Sequence, residues 1–206
     1  MRFISKRNQV FLRDGLVVKR FASQEQAVEE AEILFRLYEA GVSVPRVFKQ
    51  VHNEIIMEYV PGETIPDFLE RMGTVRDEVL LRQTAQRLFL WFKNFYAAVG
   101  YERTGEIRGE VNGRNFIIAE NRVVSVDFEE RAFGKAEQDI GRLLAFIRTY
   151  DLSNDKAKDL SGVPVKRHFS RLFESVVLEG LRMSAREIHR QYRLERIAMI
   201  RRRGRA

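Results

Sequence analysis

Two stretches decide the fold: Arg108-Gly109-Glu110-Val111-Asn112-Gly113-Arg114-Asn115-Phe116-Ile117-Ile118 and Val123-Val124-Ser125-Val126-Asp127-Phe128-Glu129. Phe116 to Ile118 and Val123 to Val126 are short apolar runs rich in β-branched residues. The polar residues between them make a tight turn, so the pair reads as two antiparallel strands. Asn115 stands just before the first strand and Asp127 just after the second. Pairing the strands brings these two side by side. Glu110 lies five residues before Asn115 on the same loop. An acid and an amide on one loop, facing a second acid at a strand end, suit metal-assisted phosphoryl transfer. One carboxylate meets the acceptor hydroxyl while oxygen ligands hold Mg²⁺ on the nucleotide phosphates. Asp127 resists a bland reading, because a carboxylate beside Val-Val-x-Val is partly buried and unpaired burial is costly.

Working outward, Leu16-Val17-Val18-Lys19-Arg20-Phe21 is an apolar strand with Lys19 near its end. Taken alone, Lys19 reads as a snorkelling surface lysine. Glu30-Ala31-Glu32-Ile33-Leu34 opens a helix that runs to Gly41, with Ile33, Leu34 and Leu37 as its buried stripe and Gly41 as its terminator. Taken alone, Glu30 belongs to a solvated acidic face with Glu25, Glu29 and Glu32. Glu54-Ile55-Ile56-Met57-Glu58-Tyr59-Val60-Pro61-Gly62 reads as a strand and a turn. Gln138-Asp139-Ile140-Gly141-Arg142-Leu143-Leu144-Ala145-Phe146 reads as a helix, on which Asp139 by itself is an acid favoured by the helix dipole.

In this order the segments resemble the protein-kinase-like superfamily, in its compact atypical branch. That branch holds aminoglycoside phosphotransferase-like enzymes, RIO-type kinases, lipopolysaccharide sugar kinases and the small kinase of the tRNA threonylcarbamoylation complex. Its loop reads His-Gly-Asp-(x4)-Asn, followed by a strand ending in Asp-Phe or Asp-Trp. This chain keeps Gly109, Asn115, Asp127 and Phe128, with Arg108 for the His and Glu110 for the Asp. Glu39-Ala40-Gly41-Val42-Ser43-Val44-Pro45-Arg46-Val47 is similar to the link of the branch, and Asp139 to Phe146 to its "DxGRLLA" helix. The resemblance covers roughly Val10 to Phe146.

The resemblance implies an α+β, two-lobed protein-kinase-like fold. Residues 1–60 would form a small β-rich N-lobe with one helix, and 61–206 a larger helical C-lobe, joined at Val60-Pro61-Gly62. It implies ATP and Mg²⁺ as cofactors. Lys19, oriented by Glu30, would hold the α and β phosphates. Backbone groups of Glu58, Tyr59 and Val60 would bind adenine. Asn115 and Asp127 would be the metal ligands, Glu110 would orient or deprotonate the acceptor hydroxyl, and Asp139 would brace the loop. Transfer of the γ-phosphoryl group would be in line, to a hydroxyl of a protein or small molecule. The short stretch after Phe146 leaves little room for the helical insert that binds aminoglycosides, which ranks antibiotics below other acceptors. Arg108 has a second reading, pairing with Asp127 or Glu110 to damp the site. Glu129 reads as a second metal ligand or as a surface acid.

Kinases usually cover the phosphates with a glycine-rich loop, yet residues 1–18 contain only Gly15, in an Asp14-Gly15 turn. Nucleotide would be less enclosed on that side. The alternative function is therefore a pseudokinase: a nucleotide-sensing scaffold that binds RNA or a protein partner through its arginine-rich tail. That tail is the main charge asymmetry. Residues 182–206 hold nine Arg against Glu187 and Glu195, which accounts for the whole formal charge of +7. Ala185, Ile188 and Tyr192 recur at helical spacing, while Arg182, Arg186, Arg190 and Arg193 share another face. A basic helix suits RNA phosphates or an anionic membrane surface, without base readout; the plain alternative is a solvated tail. The Arg-Gly-Arg end is similar to that of the tRNA-complex kinase, whose tail reaches RNA.

Length allows a full core in 206 residues. There is no cysteine, which excludes disulfides and thiol chemistry. His52, His168 and His189 are too scattered for a metal-ligand pattern. No run approaches the roughly 18–20 apolar residues of a membrane span, and no apolar run follows the charged N-terminus. The expectation is a cytoplasmic protein. Thr64 to Glu70 starts a helix, and Arg82 to Val99 forms another. That second helix is crowded with Leu88, Phe89, Trp91, Phe92, Phe95 and Tyr96, read as core rather than as a ligand box.

Overall fold

The structure, a computed structural model, describes residues 2–3, 8–128, 131–150 and 164–203. The N-terminal half is built on five antiparallel strands: β1 (Arg2–Phe3), β2 (Gln9–Arg13), β3 (Leu16–Arg20), β4 (Val47–Val51) and β5 (Glu54–Glu58), in spatial order β1-β2-β3-β5-β4. The β2–β3 turn places Asp14 at φ 51° and Gly15 at φ 77°. Asp-Gly favours such a turn, because two successive positive φ values match the twist of the flanking strands. The register sets Lys19 opposite Val10 on one side and Ile55 on the other. Lys19 is therefore held from both edges of its strand.

Helix α1 (Gln24–Glu39) begins six residues before the expected opening at Glu30. The reason is a cap: the Ser23 hydroxyl accepts the Gln26 N–H at 3.3 Å, satisfying a first-turn donor. The expected stripe of Ile33, Leu34 and Leu37 is buried, together with Ala27 and Glu30. Leu34 and Leu37 share a core with Ile55 and Met57 of β5.

Past the link, β6 (Glu63–Thr64) pairs with β8 (Phe116–Ile118), which pairs with β9 (Val123–Ser125). This small sheet ties the link to the hairpin that carries Asn115 and Asp127. Gly62 fits here for steric reasons, since a Cβ would lie 2.5 Å from the Ile118 carbonyl oxygen. α2 (Ile65–Val75) opens with a Thr64–Asp67 capping box. α3 (Glu78–Ala98) starts four residues before the expected Arg82, because Asp77 accepts the Leu80 N–H at 2.9 Å. Its aromatics are core: Trp91 stacks on Phe95 at 5.3 Å and meets Phe116 edge-on at 5.1 Å. α4 (Tyr101–Thr104) and β7 (Glu106–Ile107) lead to the loop that holds Glu110, and β10 (Ala132–Phe133) pairs with β7.

Among the described residues that follow are three helices, α5 (Ala136–Thr149), α6 (Val165–Gly180) and α7 (Ala185–Arg203). The arginine-rich segment is not a loose tail over its described part. A Cβ on Gly141 of α5 would lie 2.6 Å from Gln191 Cβ and 2.9 Å from the Ile188 carbonyl oxygen. The two helices meet at backbone distance, which only glycine permits. Of the expected stripe, Ile188 is buried and Tyr192 half-buried, while Ala185, in the first turn, is exposed. Arg182, Arg186, Arg190 and Arg193 are all exposed, as their shared face required. Gly204 to Ala206 lies outside the described residues. Among the described residues no helix is long and apolar enough to cross a membrane. The protein is thus α+β and two-lobed, a β-sheet region followed by a helical region.

Candidate active site

Lys19 leaves β3 into the space between the lobes, where only 3% of it is exposed. Its ammonium donates to both carboxylate oxygens of Glu30, at 3.0 and 2.7 Å, and to Asp127 Oδ1 at 2.5 Å. Burial alone would lower this lysine, but the carboxylates of Glu30 and Asp127 reverse that and hold it above its ordinary value. The charge is kept. Glu30 is buried on α1 and is the point where the helix grips the strand. Burial pushes its carboxyl up, against Lys19 and the Phe128 N–H. Asp127 differs from Glu30 in one respect that matters: 42% of its side chain is open to solvent. Its backbone sits at φ 68°, in the left-handed region that Asp tolerates better than most residues. Non-glycine residues held there are concentrated at functional sites.

Asp139 organises the loop from below. Fully buried on α5, it accepts the backbone N–H groups of Arg108 (2.7 Å) and Gly109 (2.9 Å) and the Tyr96 hydroxyl (3.1 Å). Burial pushes this carboxyl up to about 6, with those three donors and Arg108 pulling the other way. Gly109, at φ 77°, has no room for a side chain, since a Cβ would lie 2.3 Å from that of Ala132. Arg142, one turn after Asp139, donates to the Gly109 carbonyl.

Arg108 does not take its alternative role. Its guanidinium donates to the main-chain carbonyls of Val126 (3.0 Å) and Asp127 (2.6 Å) and lies 4.0 Å over the Phe128 ring. It grips the backbone beside Asp127, whose carboxylate goes to Lys19. Burial pulls Arg108 below its ordinary value, opposed by Asp139, Asp127, Glu30 and Glu110.

Asn115 closes the 3₁₀ turn Gly113–Asn115, half-buried, and its carbonyl accepts the Val126 N–H at 2.9 Å. That bond fixes Asn115 next to the residue preceding Asp127. Its side-chain amide has no hydrogen-bond partner among the described residues. Glu110 is exposed, likewise without a hydrogen bond or ion pair there. At the hinge, the Glu58 N–H is already given to the Arg46 carbonyl (2.8 Å), and its carboxylate accepts Arg122 (2.8 Å) and the Arg46 N–H (3.2 Å). Of the three expected adenine contacts, Glu58 thus has no N–H to offer. Tyr59 is exposed and Val60 buried. Glu129 lies outside the described residues.

The sequence reading missed Glu106. This buried residue accepts Arg36 of α1 at 2.5 and 3.2 Å and Arg131, just beyond Asp127, at 2.6 Å. Burial would raise it, but these arginines hold it below the ordinary glutamate value. The only signal was an acid set before the apolar Ile107, which is too common to single out. Tyr96 was read as core only, and its hydroxyl on Asp139 was equally invisible.

The family model described as RIO1: RIO domain matches residues 6–150. The chain is 30% identical over 107 residues to the KEOPS complex subunit Bud32 of Pyrococcus abyssi (strain GE5 / Orsay). That alignment takes in 51% of this chain and 44% of the relative, so it spans less than half of the relative's length. A lysine strand, a glutamate helix and a braced loop converge on an acid-ending strand within the matched span, and the chain belongs to the protein-kinase-like RIO-domain family.

Proposed function

We propose that this chain transfers the γ-phosphoryl group of ATP to a hydroxyl of a protein or small-molecule acceptor, with Mg²⁺ bound. The supporting observation is the Lys19 ammonium held between buried Glu30 and half-open Asp127. A cation fixed there by one carboxylate can turn to phosphate oxygens when nucleotide enters. We assign residues 1–60 to the nucleotide-side lobe and 61–206 to the lobe with the catalytic loop.

The residues fit the metal. Asn115 and Asp127 offer hard oxygen donors, the kind Mg²⁺ takes, and the Asn115–Val126 hydrogen bond supports their meeting at one point. When bound, Mg²⁺ supplies charge neutralisation at the phosphate oxygens. Lys19 orients the α and β phosphates, and Glu30 keeps Lys19 from swinging away. Glu110, open to solvent, accepts the proton of the acceptor hydroxyl. Backbone groups of Tyr59 and Val60 hydrogen-bond adenine in this reading. Positioning and electrostatics carry most of such a reaction.

The test is thermal unfolding with ATP, with and without Mg²⁺, on wild type and Asp127→Ala. A ligand at 100 times its Kd adds about 2.7 kcal/mol, or roughly 5–11 °C for a chain of this size. The expected result is a Mg²⁺-dependent rise that Asp127→Ala loses. No rise at millimolar ATP sinks the proposal. A second reading, a nucleotide-sensing scaffold that binds RNA or protein, is favoured by the exposed arginines of α7. It wins if ATP binds, no acceptor is turned over, and removal of residues 182–206 abolishes partner binding.

A further inference from the structure

We propose that Lys19 locks the metal site of the nucleotide-free chain, so that Asp127 takes a divalent cation only once nucleotide phosphates have drawn Lys19 off it. This rests on the metal and nucleotide roles proposed above and adds the order in which they are filled. An ammonium has three N–H groups to give. Those of Lys19 meet Glu30 Oε1 at 3.0 Å, Glu30 Oε2 at 2.7 Å and Asp127 Oδ1 at 2.5 Å. With all three spent on carboxylates, none is left for a phosphate oxygen. One contact has to be exchanged when nucleotide enters.

The two carboxylates are unequal in that exchange. The Glu30 side chain is 1% exposed and the Asp127 side chain 42%. Glu30 grips Lys19 with both oxygens and also accepts the Phe128 N–H. Parting Lys19 from Glu30 would strand a buried charge, which is costly. Parting it from Asp127 leaves a carboxylate that solvent reaches, so Asp127 is the contact that yields. Before it yields, Asp127 is poorly placed to hold a metal. It has three oxygens. Oδ1 is on Lys19, and the main-chain oxygen accepts Arg108 Nη2 at 2.6 Å. Oδ2 remains, beside an ammonium that repels an incoming cation at contact distance. A hard dication that sheds water reluctantly needs more than that. Once Lys19 exchanges Oδ1 for a phosphate oxygen, the whole carboxylate of Asp127 is free, next to the phosphates that share the metal.

The experiment is a titration of the full chain with Mn²⁺, which takes the same carboxylate, carbonyl and water oxygens as Mg²⁺. Binding is read from the water proton relaxation enhancement of a protein-bound ion, which a small Mn²⁺–ADP complex does not produce. Wild type, Lys19→Met and Lys19→Met/Asp127→Ala are compared without nucleotide, and wild type again with saturating ADP. Wild type is expected to bind Mn²⁺ well only with ADP. Without nucleotide, Lys19→Met should bind Mn²⁺ roughly tenfold or more tighter than wild type, the size of a charge-assisted hydrogen bond removed. The added Asp127→Ala should abolish that gain. If Lys19→Met does not fold because Glu30 is left buried alone, Lys19→Met/Glu30→Gln, which removes both charges, carries the comparison. Equal Mn²⁺ affinity of wild type with and without ADP overturns the lock, and so does a lysine variant no tighter than wild type. A gain that survives Asp127→Ala puts the ion on other carboxylates and overturns it too. These three outcomes leave the phosphotransferase reading standing. Absence of Mn²⁺ binding by wild type even with ADP removes the metal site itself, and the proposed function falls together with the lock.

Discussion

Glu110 is a methylene longer than the aspartate it replaces and stands exposed, with no hydrogen bond or ion pair among the described residues. Glu110→Gln is expected to leave unfolding within about 0.5 kcal/mol of wild type. Turnover should fall by about 10²–10⁴-fold if its carboxylate takes the acceptor proton. Unchanged turnover would remove Glu110 from the mechanism. Asp139 makes a different prediction. Its folded value of about 6 lies above the ordinary 3.8, so the folded state holds a proton that the unfolded chain has lost. The stability it contributes is therefore present at low pH and disappears as pH rises from about 4 to about 6. At about 1.4 kcal/mol per pH unit, the ceiling is roughly 3 kcal/mol. Denaturant unfolding of wild type against Asp139→Asn across pH 4–7 measures this: wild type gains on the variant as pH falls. A flat difference would mean an ordinary Asp139. Its place beneath the loop was legible from the helix motif. The two backbone N–H groups and the Tyr96 hydroxyl it holds were not, because no local pattern encodes partners thirty or more residues away.

Among the elements, the docking of α7 has the sharpest steric test. Gly141→Leu puts a side chain into the Ile188 and Tyr192 backbone and the Gln191 Cβ. Over-packing of this kind costs about 1–3 kcal/mol. Denaturant unfolding should show that loss, and amide exchange should accelerate in α7 while β2 and β3 keep their protection. Uniform exchange would mean that α7 is not a separable layer. The strands around Lys19 and Asp127 were readable because alternation and the Asp14-Gly15 turn are local signals. Helix starts were less so. Ser23 and Asp77 are ordinary polar residues until their oxygens are seen on Gln26 and Leu80 N–H groups, which moved α1 and α3 earlier than periodicity indicated.

At the scale of the whole molecule, Glu106 joins parts that hydrophobic patterning cannot connect. Through Arg36 it reaches α1, the helix that carries Glu30, and through Arg131 the segment beyond Asp127. Both arginines are about half exposed, which limits the value of each pair. Glu106→Gln is expected to cost about 1–3 kcal/mol and to weaken ATP binding, because α1 then holds Lys19 less firmly. A double-mutant cycle with Arg36→Ala, read by denaturant unfolding and by ATP titration, separates the two effects. If ATP affinity holds while stability falls, Glu106 is a structural tie only.

The sequence by itself determined the order of parts: a lysine strand, an acidic helix, a loop ending in Asn115 and a strand ending at Asp127. Each is written in short-range periodicity, turn chemistry and spacing. Only the tertiary structure decided which charges meet. Lys19 could have been a surface lysine and Glu30 a solvated acid, and burial at the lobe junction made them a pair. Arg108 could have closed on a carboxylate, and the path of the chain past Val126 gave it carbonyls instead. The arginine-rich end could have stayed in solvent, and a glycine on α5 let its helix dock. Long-range electrostatics and backbone-to-backbone contact depend on where distant segments come to rest, and no local stretch of the chain carries that information.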